Sequence, residues 1–225
     1  LLYSIGIDCS GPVCSVALFE GAICLGEEIS IHRQAHAAET TLLIQSVLQK
    51  NNCRLRDIKA IAVSNGPGSY TGLRIGLSIA KGIAYGLDIP LICISTLQAL
   101  AWQAAKSHPG YELYVPTIDA RREEIYYAVY DAAGKEITTP VARILEEDFL
   151  YAIKGKGRAI LVGDGCDKCR RHLLGQDLDY DGAILSRASA MGPLIADKIE
   201  NKTTEAPAYA VPFYLKDFYS PLVKK

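Results

Sequence analysis

Three short strands, a helix, a strand and a helix, followed by the same order a second time: this succession of apolar patterns constrains the fold of the chain more than any single motif. Residues 3–8, 13–20 and 22–29 are strand-like runs, divided by the turn signal Ser10-Gly11-Pro12 and by Gly21. Residues 39–50 place Leu43 and Val47, and Ile44 and Leu48, at helical spacing. A strand at 60–64, a helix at 71–85, a strand at 90–94 and a helix at 96–106 complete the first unit. After a break at 107–112 the pattern restarts, with strands at 113–118, 124–131 and 136–141, a helix at 145–153, a strand at 159–162 and a short helix at 166–174. No clear sequence identity links the halves, so the repeat is one of structure. A last helix at 186–200 leads to a tail with Pro207, Pro212 and Pro221, which is extended and must lie across the body. The expected organisation is a first lobe at 1–106, a second at 107–185, and a terminal helix and extended tail at 186–225 packing back on the lobes. The fold class is α/β, with a mixed sheet flanked by helices in each lobe.

Composition removes several function classes. The 24 Lys and Arg balance 25 Asp and Glu, for a net charge of −1, and 49% of residues are apolar. Disorder is excluded, and so is wrapping of nucleic acid by bulk charge, although a local basic patch is not. The longest uncharged run, 89–105, holds Pro90, Ser95, Thr96 and two Gln, and is too short and polar to span a bilayer. The start of the chain has no signal-peptide pattern, and its first residue, Leu1, suggests that an initiator Met is missing. The 7 cysteines are scattered through apolar runs, as reduced core thiols of a cytoplasmic protein are.

The most informative segment is the glycine-rich run from Gly66 to Gly76, which follows a strand and opens a helix. Backbone amides at such a place can hold an anion, but a tight structural turn uses the same residues. The run is neither a P-loop nor a dinucleotide fingerprint. Within the helix, Gly72, Gly76, Ala80 and Ala84 recur every four residues and form a smooth ridge. Each interior glycine costs about 1 kcal/mol against Ala, so close approach of another backbone must offset it. That backbone belongs either to the chain's own sheet or to a second subunit.

Ser64-Asn65-Gly66-Pro67-Gly68-Ser69-Tyr70-Thr71-Gly72-Leu73-Arg74-Ile75-Gly76, with Ala80-Lys81-Gly82, resembles the signature of the TsaB (YeaZ) family. Ile7-Asp8-Cys9-Ser10, Ile94-Ser95-Thr96-Leu97, the run from Asp119 to Tyr126, Pro207, Tyr209 and Tyr214-Leu215-Lys216 extend the resemblance over nearly the whole chain. It implies a duplicated RNase H-like, actin-like ATPase fold. It implies a non-catalytic subunit with no required cofactor and no metal. Its partner would be TsaD, a paralogue that moves a threonylcarbamoyl group from an adenylate onto one adenosine. That adenosine neighbours the anticodon in tRNAs reading codons that begin with A. TsaE, an ATPase, joins the complex, tRNA is engaged through it, and a homodimer forms in isolation. The partner-binding helices fall at 36–50 and 71–86, with His36, Leu43, Val47, Thr71, Gly72, Leu73, Gly76, Leu77, Ala80, Ile83 and Ala84 as interface residues. The first strand of an actin-like ATPase carries a carboxylate and a hydroxyl near phosphate, so Asp8, Ser10, Gly66, Gly68 and Ser69 are candidates for weak ATP or ADP binding.

Other features point elsewhere and carry less. His32 and His36 have metal-pair spacing but no third ligand. Cys166 and Cys169 form a single C-x-x-C near His172, half of a zinc motif, and read as free thiols. Asp8, Asp119 and Glu123 are scattered carboxylates, and Arg121 and Arg122 beside Glu123 and Glu124 read as a solvated turn. No catalytic residue is expected. The competing reading is a self-sufficient ATPase or small kinase of the actin-like superfamily. It would need a second phosphate loop, for which Gly163-Asp164-Gly165 is the nearest candidate.

Overall fold

A computed structural model describes residues 2–31, 36–145, 153, 155–173 and 178–216. The first sheet contains β1 (Tyr3–Asp8), β2 (Cys14–Glu20), β3 (Ile23–Ser30), β4 (Ile58–Gly66) and β5 (Leu91–Ser95), in the order β3-β2-β1-β4-β5. The meander β1 to β3 is antiparallel, and β4 and β5 run parallel to β1. The second sheet contains β6 (Leu113–Asp119), β7 (Glu124–Asp131), β8 (Glu136–Ile144), β9 (Ala159–Val162) and β10 (Asp179–Asp181). Its order, β10-β9-β6-β7-β8, is the first sheet's order read from the other edge. The duplication expected from the strand pattern is therefore present in topology.

Strict alternation along the strands gives each sheet two apolar faces. In the first sheet Val16, Leu18, Ile61 and Val63 face α1 (His36–Lys50) and α2 (Tyr70–Leu87). Ala17, Phe19, Ala60, Ala62, Ile92 and Ile94 face the other way, against Ala99 of α3 (Thr96–Ser107) and Leu194 and Ile195 of α5 (Gly192–Glu200). In the second sheet Val115, Ile125, Val129 and Leu161 pack on α4 (Cys166–His172), with Leu145 and Ile153 in the same cluster. Tyr114, Ala128, Tyr130 and Val162 pack on Leu97, Leu100, Ala101 and Ala104 of α3. Helix α3 thus serves both sheets.

Two local expectations change. The helix at 186–200 is a 3-10 turn, Ala188–Met191, followed by α5, because Pro193 lacks an N–H and is tolerated only in a first helical turn. The short strand β10 was not foreseen. The helix expected at 145–153 lies outside the described residues except for Leu145 and Ile153, both buried. The edge of β5 is closed from outside: Glu205 donates its N–H to the Leu91 carbonyl (2.9 Å), and its carboxylate accepts the Cys93 N–H (2.9 Å).

Candidate functional site

The nucleotide candidates meet at the end of β1. Asp8 is 0% exposed. One of its oxygens accepts the N–H (2.8 Å) and the hydroxyl (2.6 Å) of Ser10, and the other accepts the hydroxyl of Ser186. A buried carboxylate must be hydrogen-bonded, and these three donors come from its own chain. The glycine loop leans on the same place. A Cβ on Gly68 would lie 2.5 Å from the Ser10 carbonyl oxygen, and one on Gly72 only 1.9 Å from that of Cys9. Gly66, at φ 121°, is pressed by the tail, its Cβ position 2.5 Å from the Phe213 carbonyl. Ser69 donates its N–H to the Ser10 carbonyl (2.7 Å), and its hydroxyl caps α2 by accepting the Gly72 N–H (3.2 Å). Packing of the chain on itself accounts for these glycines.

The second sheet repeats the device. A Cβ on Gly163, at φ 107°, would lie 2.1 Å from the Thr117 carbonyl oxygen. Asp164 accepts the Asp119 N–H (2.9 Å). The Asp119 carboxylate accepts the Arg121 N–H and the Lys168 ammonium, each at 2.6 Å. Between the two loops lies a cleft of about 10 Å³, room for roughly one water, lined by Ser10, Gly11, Pro12, Thr96, Gly163 and Asp164. Ligand pockets usually measure roughly 300–1,000 Å³.

The partner-interface candidates divide. Gly72, Leu73, Gly76, Leu77, Ala80 and Ala84 are buried, and a Cβ on Gly76 would sit 3.3 Å from Val63 of β4. The ridge therefore faces the chain's own sheet, which corrects its assignment to a second subunit: the sheet is the close neighbour that the small residues admit. Val47 is buried in the same core, and Leu43 and Ile83 are half-buried against it. Thr71 is exposed. His36 opens α1, and its side chain, like all of His32, lies outside the described residues.

The outer face of α2 carries Thr71, Ser78, Gly82, Tyr85 and Gly86, all exposed, and a Cβ on Gly82 or Gly86 would meet nothing within 4 Å. Leu42 of α1 is 62% exposed and Tyr85 is 86% exposed. The tail runs along the other flank of α2. Lys81 donates to the carbonyls of Ala208 and Ala210, and Arg74 stacks on Tyr70 (3.9 Å) while donating to the Tyr214 hydroxyl (2.9 Å). This leaves Tyr209 and Val211 largely exposed beside the helix.

The remaining candidates separate. Burial pushes the thiol of Cys166 up to about 11 and that of Cys169 to about 12, so both keep their protons near neutral pH. His172 pairs with Glu123 (2.9 Å), and this holds the Glu123 carboxyl below its usual range. Arg121 and Arg122 are exposed at the β6–β7 turn with φ of 69° and 51°. Sequence reasoning gave no role to Lys168 or Lys216. Lys168 sits inside the C-x-x-C that drew attention to its cysteines, and Lys216, from the tail, binds Glu124 at the same turn.

The family profile for TsaD, tRNA N6-adenosine threonylcarbamoyltransferase, matches residues 30–213. The tRNA threonylcarbamoyladenosine biosynthesis protein TsaB of Escherichia coli K12 is 30% identical over 221 residues, covering 95% of this chain and 94% of that one. TsaB of Bacillus subtilis is 32% identical over 159 residues, 70% of this chain and 68% of that one. The solved structure of YeaZ from Pseudomonas aeruginosa superposes with a TM-score of 0.82 at 25% identity, covering 96% and 100%. An activator of 2-hydroxyisocaproyl-CoA dehydratase from Clostridium difficile with bound ADPNP shares the fold (TM-score 0.56, 9% identity, covering 90% and 97%).

Proposed function

Because the chain belongs to the TsaB (YeaZ) family of tRNA threonylcarbamoyladenosine biosynthesis proteins, we propose that it serves that pathway as a non-catalytic subunit that docks its catalytic paralogue. One observation carries the reading. The two carboxylates at the strand ends where an actin-like ATPase holds phosphate, Asp8 and Asp119, are each occupied by groups of the chain itself, across a cleft of only about 10 Å³. The same observation disfavours a self-sufficient ATPase or kinase, and leaves ATP or ADP no more than a weak ligand. In this reading TsaD supplies the transfer chemistry, TsaE the ATPase, and tRNA reaches the chain through the complex in the cytoplasm. No described helix is long and apolar enough to cross a membrane.

The docking surface is the outer face of α2 with its flanks, Leu42 on α1 and Tyr209 on the tail. Ser78, Gly82 and Gly86 let a partner helix approach closely, and the apolar flanks supply burial. In isolation the same face pairs two copies of the chain.

The test is reconstitution of threonylcarbamoyladenosine on tRNA from threonine, bicarbonate and ATP with the adenylate-forming enzyme, TsaD and TsaE of the same organism. Product is expected only when this chain is present, and the chain alone should consume no ATP. Modification that proceeds equally well without it would sink the proposal. Gly82→Arg projects into open space, so it should leave the fold intact and abolish co-elution with TsaD; co-elution that persists would move the docking surface off this face.

A further inference from the structure

Cys9 and Cys14 lie directly opposite one another where β1 and β2 part, one step beyond the paired residues Asp8 and Ser15. Their sulfurs are 3.2 Å apart, and both touch the hydroxyl of Thr40 on α1, at 3.5 Å from Cys9 and 3.2 Å from Cys14. All three residues are buried, and both thiols are free. The pair stands at the end of the sheet, where the connecting residues Gly11, Pro12 and Val13 are only half-buried. Residues directly opposite on antiparallel strands have Cα atoms about 4.5–5.5 Å apart, which is within the range a disulfide spans.

We propose that Cys9 and Cys14 are a site of reversible oxidation, closing to a disulfide when the chain meets a hydroperoxide. Cys14 is taken as the attacking sulfur: it lies within hydrogen-bond reach of both the Cys9 thiol and the Thr40 hydroxyl. These contacts hold its thiol below the ordinary value, while that of Cys9 is pushed up. The Cys14 thiolate attacks one peroxide oxygen; an S–O bond forms, the O–O bond breaks, and the departing alkoxide or hydroxide takes up a proton. Cys9 then attacks the sulfenic sulfur. The S–S bond forms, the S–O bond breaks, and hydroxide leaves as water with the Cys9 proton. Two electrons pass from the thiols to the peroxide, with one alcohol or water and one further water as products.

The closed disulfide has no S–H to give Thr40, and its sulfurs must contract by about 1 Å toward one another. The contacts that tie the end of the first sheet to α1 through Thr40 are thereby weakened. Since α1 flanks the docking face, oxidation would loosen that face; this consequence, though not the chemistry, rests on the proposed function.

The experiment uses the whole native chain carrying Cys24→Ser and Cys53→Ser, which removes the exposed and half-buried thiols. It is treated with hydrogen peroxide, alkylated and mapped by mass spectrometry. The peptide holding both cysteines should be lighter by two hydrogens, closed to alkylation, and restored by a dithiol reductant. Amide exchange in α1 around Thr40 should then quicken about fivefold, the effect of losing one ordinary hydrogen bond. If both cysteines remain alkylatable after peroxide and denaturation, or if Cys14 accumulates as sulfinic acid without linking, the proposal is wrong. Unchanged exchange in a linked chain would overturn the coupling to α1. None of these outcomes depends on tRNA modification, so the reconstitution can fail or succeed separately.

Discussion

At the scale of single residues, glycines of one helix do opposite things. Gly72 has the Cys9 carbonyl oxygen 1.9 Å from where a Cβ would be, whereas Gly82 faces open space. Gly72→Ala should therefore destabilise the chain by about 3 kcal/mol or more, through displaced backbone. Gly82→Ala should stabilise it by about 1 kcal/mol, through helix propensity alone. Urea unfolding of the two variants separates them, and a neutral Gly72→Ala would show that α2 does not press on β1 as described. Four-residue spacing revealed the ridge of Gly72, Gly76, Ala80 and Ala84 but not its direction. A ridge that admits a neighbour looks the same whether that neighbour is a β-strand of the same chain or a helix of another. Only the position of Val63 and Cys9 beneath it decides. The surface that remains for a partner is the less conspicuous series Ser78, Gly82 and Gly86, on the far side of the same helix.

Elements are joined across the molecule by a few polar ties. Asp181 of β10 meets His108, just past α3, at 2.8 Å, and this pairing together with the Ala183 N–H holds the Asp181 carboxyl below its ordinary value. A carboxylate with a lowered folded pKa adds stability that is present above its unfolded value, about 3.9, and is lost as pH falls through the folded value. Asp181→Asn should thus lower the melting temperature at pH 6, where the carboxylate is ionised. The two proteins should converge on acidification below about pH 4. A difference that stays constant down to pH 3 would remove the pair from the account. The tail is tied similarly. Arg74→Ala removes the stack on Tyr70 and the bond to Tyr214. It should expose the Phe213–Tyr214 segment to chymotrypsin, and resistance equal to the parent chain would show that the Lys81 contacts suffice. The prolines pointed to an extended tail, but its described part turns at 206–210. Its course along α2 was not legible, because Lys81, Arg74 and Asn65 lie more than a hundred positions away from the groups they bind.

For the whole molecule, the succession of strands along the chain was legible, β10 excepted, because both sheets bury alternate residues on two faces, and such strands stand out as short apolar runs. The sharing of α3 between the sheets was not. Leu97, Leu100 and Ala101 turn one way and Ala99 the other, so most of the circumference of the helix is apolar, a pattern that names burial but not the partners. The internal pairing of Asp8 was equally hidden, since Asp8 followed by Ser10 reads alike whether it faces a nucleotide or Ser186. The shared helix has a thermodynamic signature: the two sheets should melt in one calorimetric transition, and two resolved peaks would mean that α3 does not couple them. There is a temporal counterpart. Met191, Leu194 and Ile195 cover one face of the first sheet, yet a ribosome adds them long after β5. At roughly 5–20 residues per second, that face waits on the order of 5–20 s for its cover. During every round of synthesis the growing chain exposes Phe19, Ile92 and Ile94 to the cell, and a chaperone that holds nascent apolar sheets would find its binding site there.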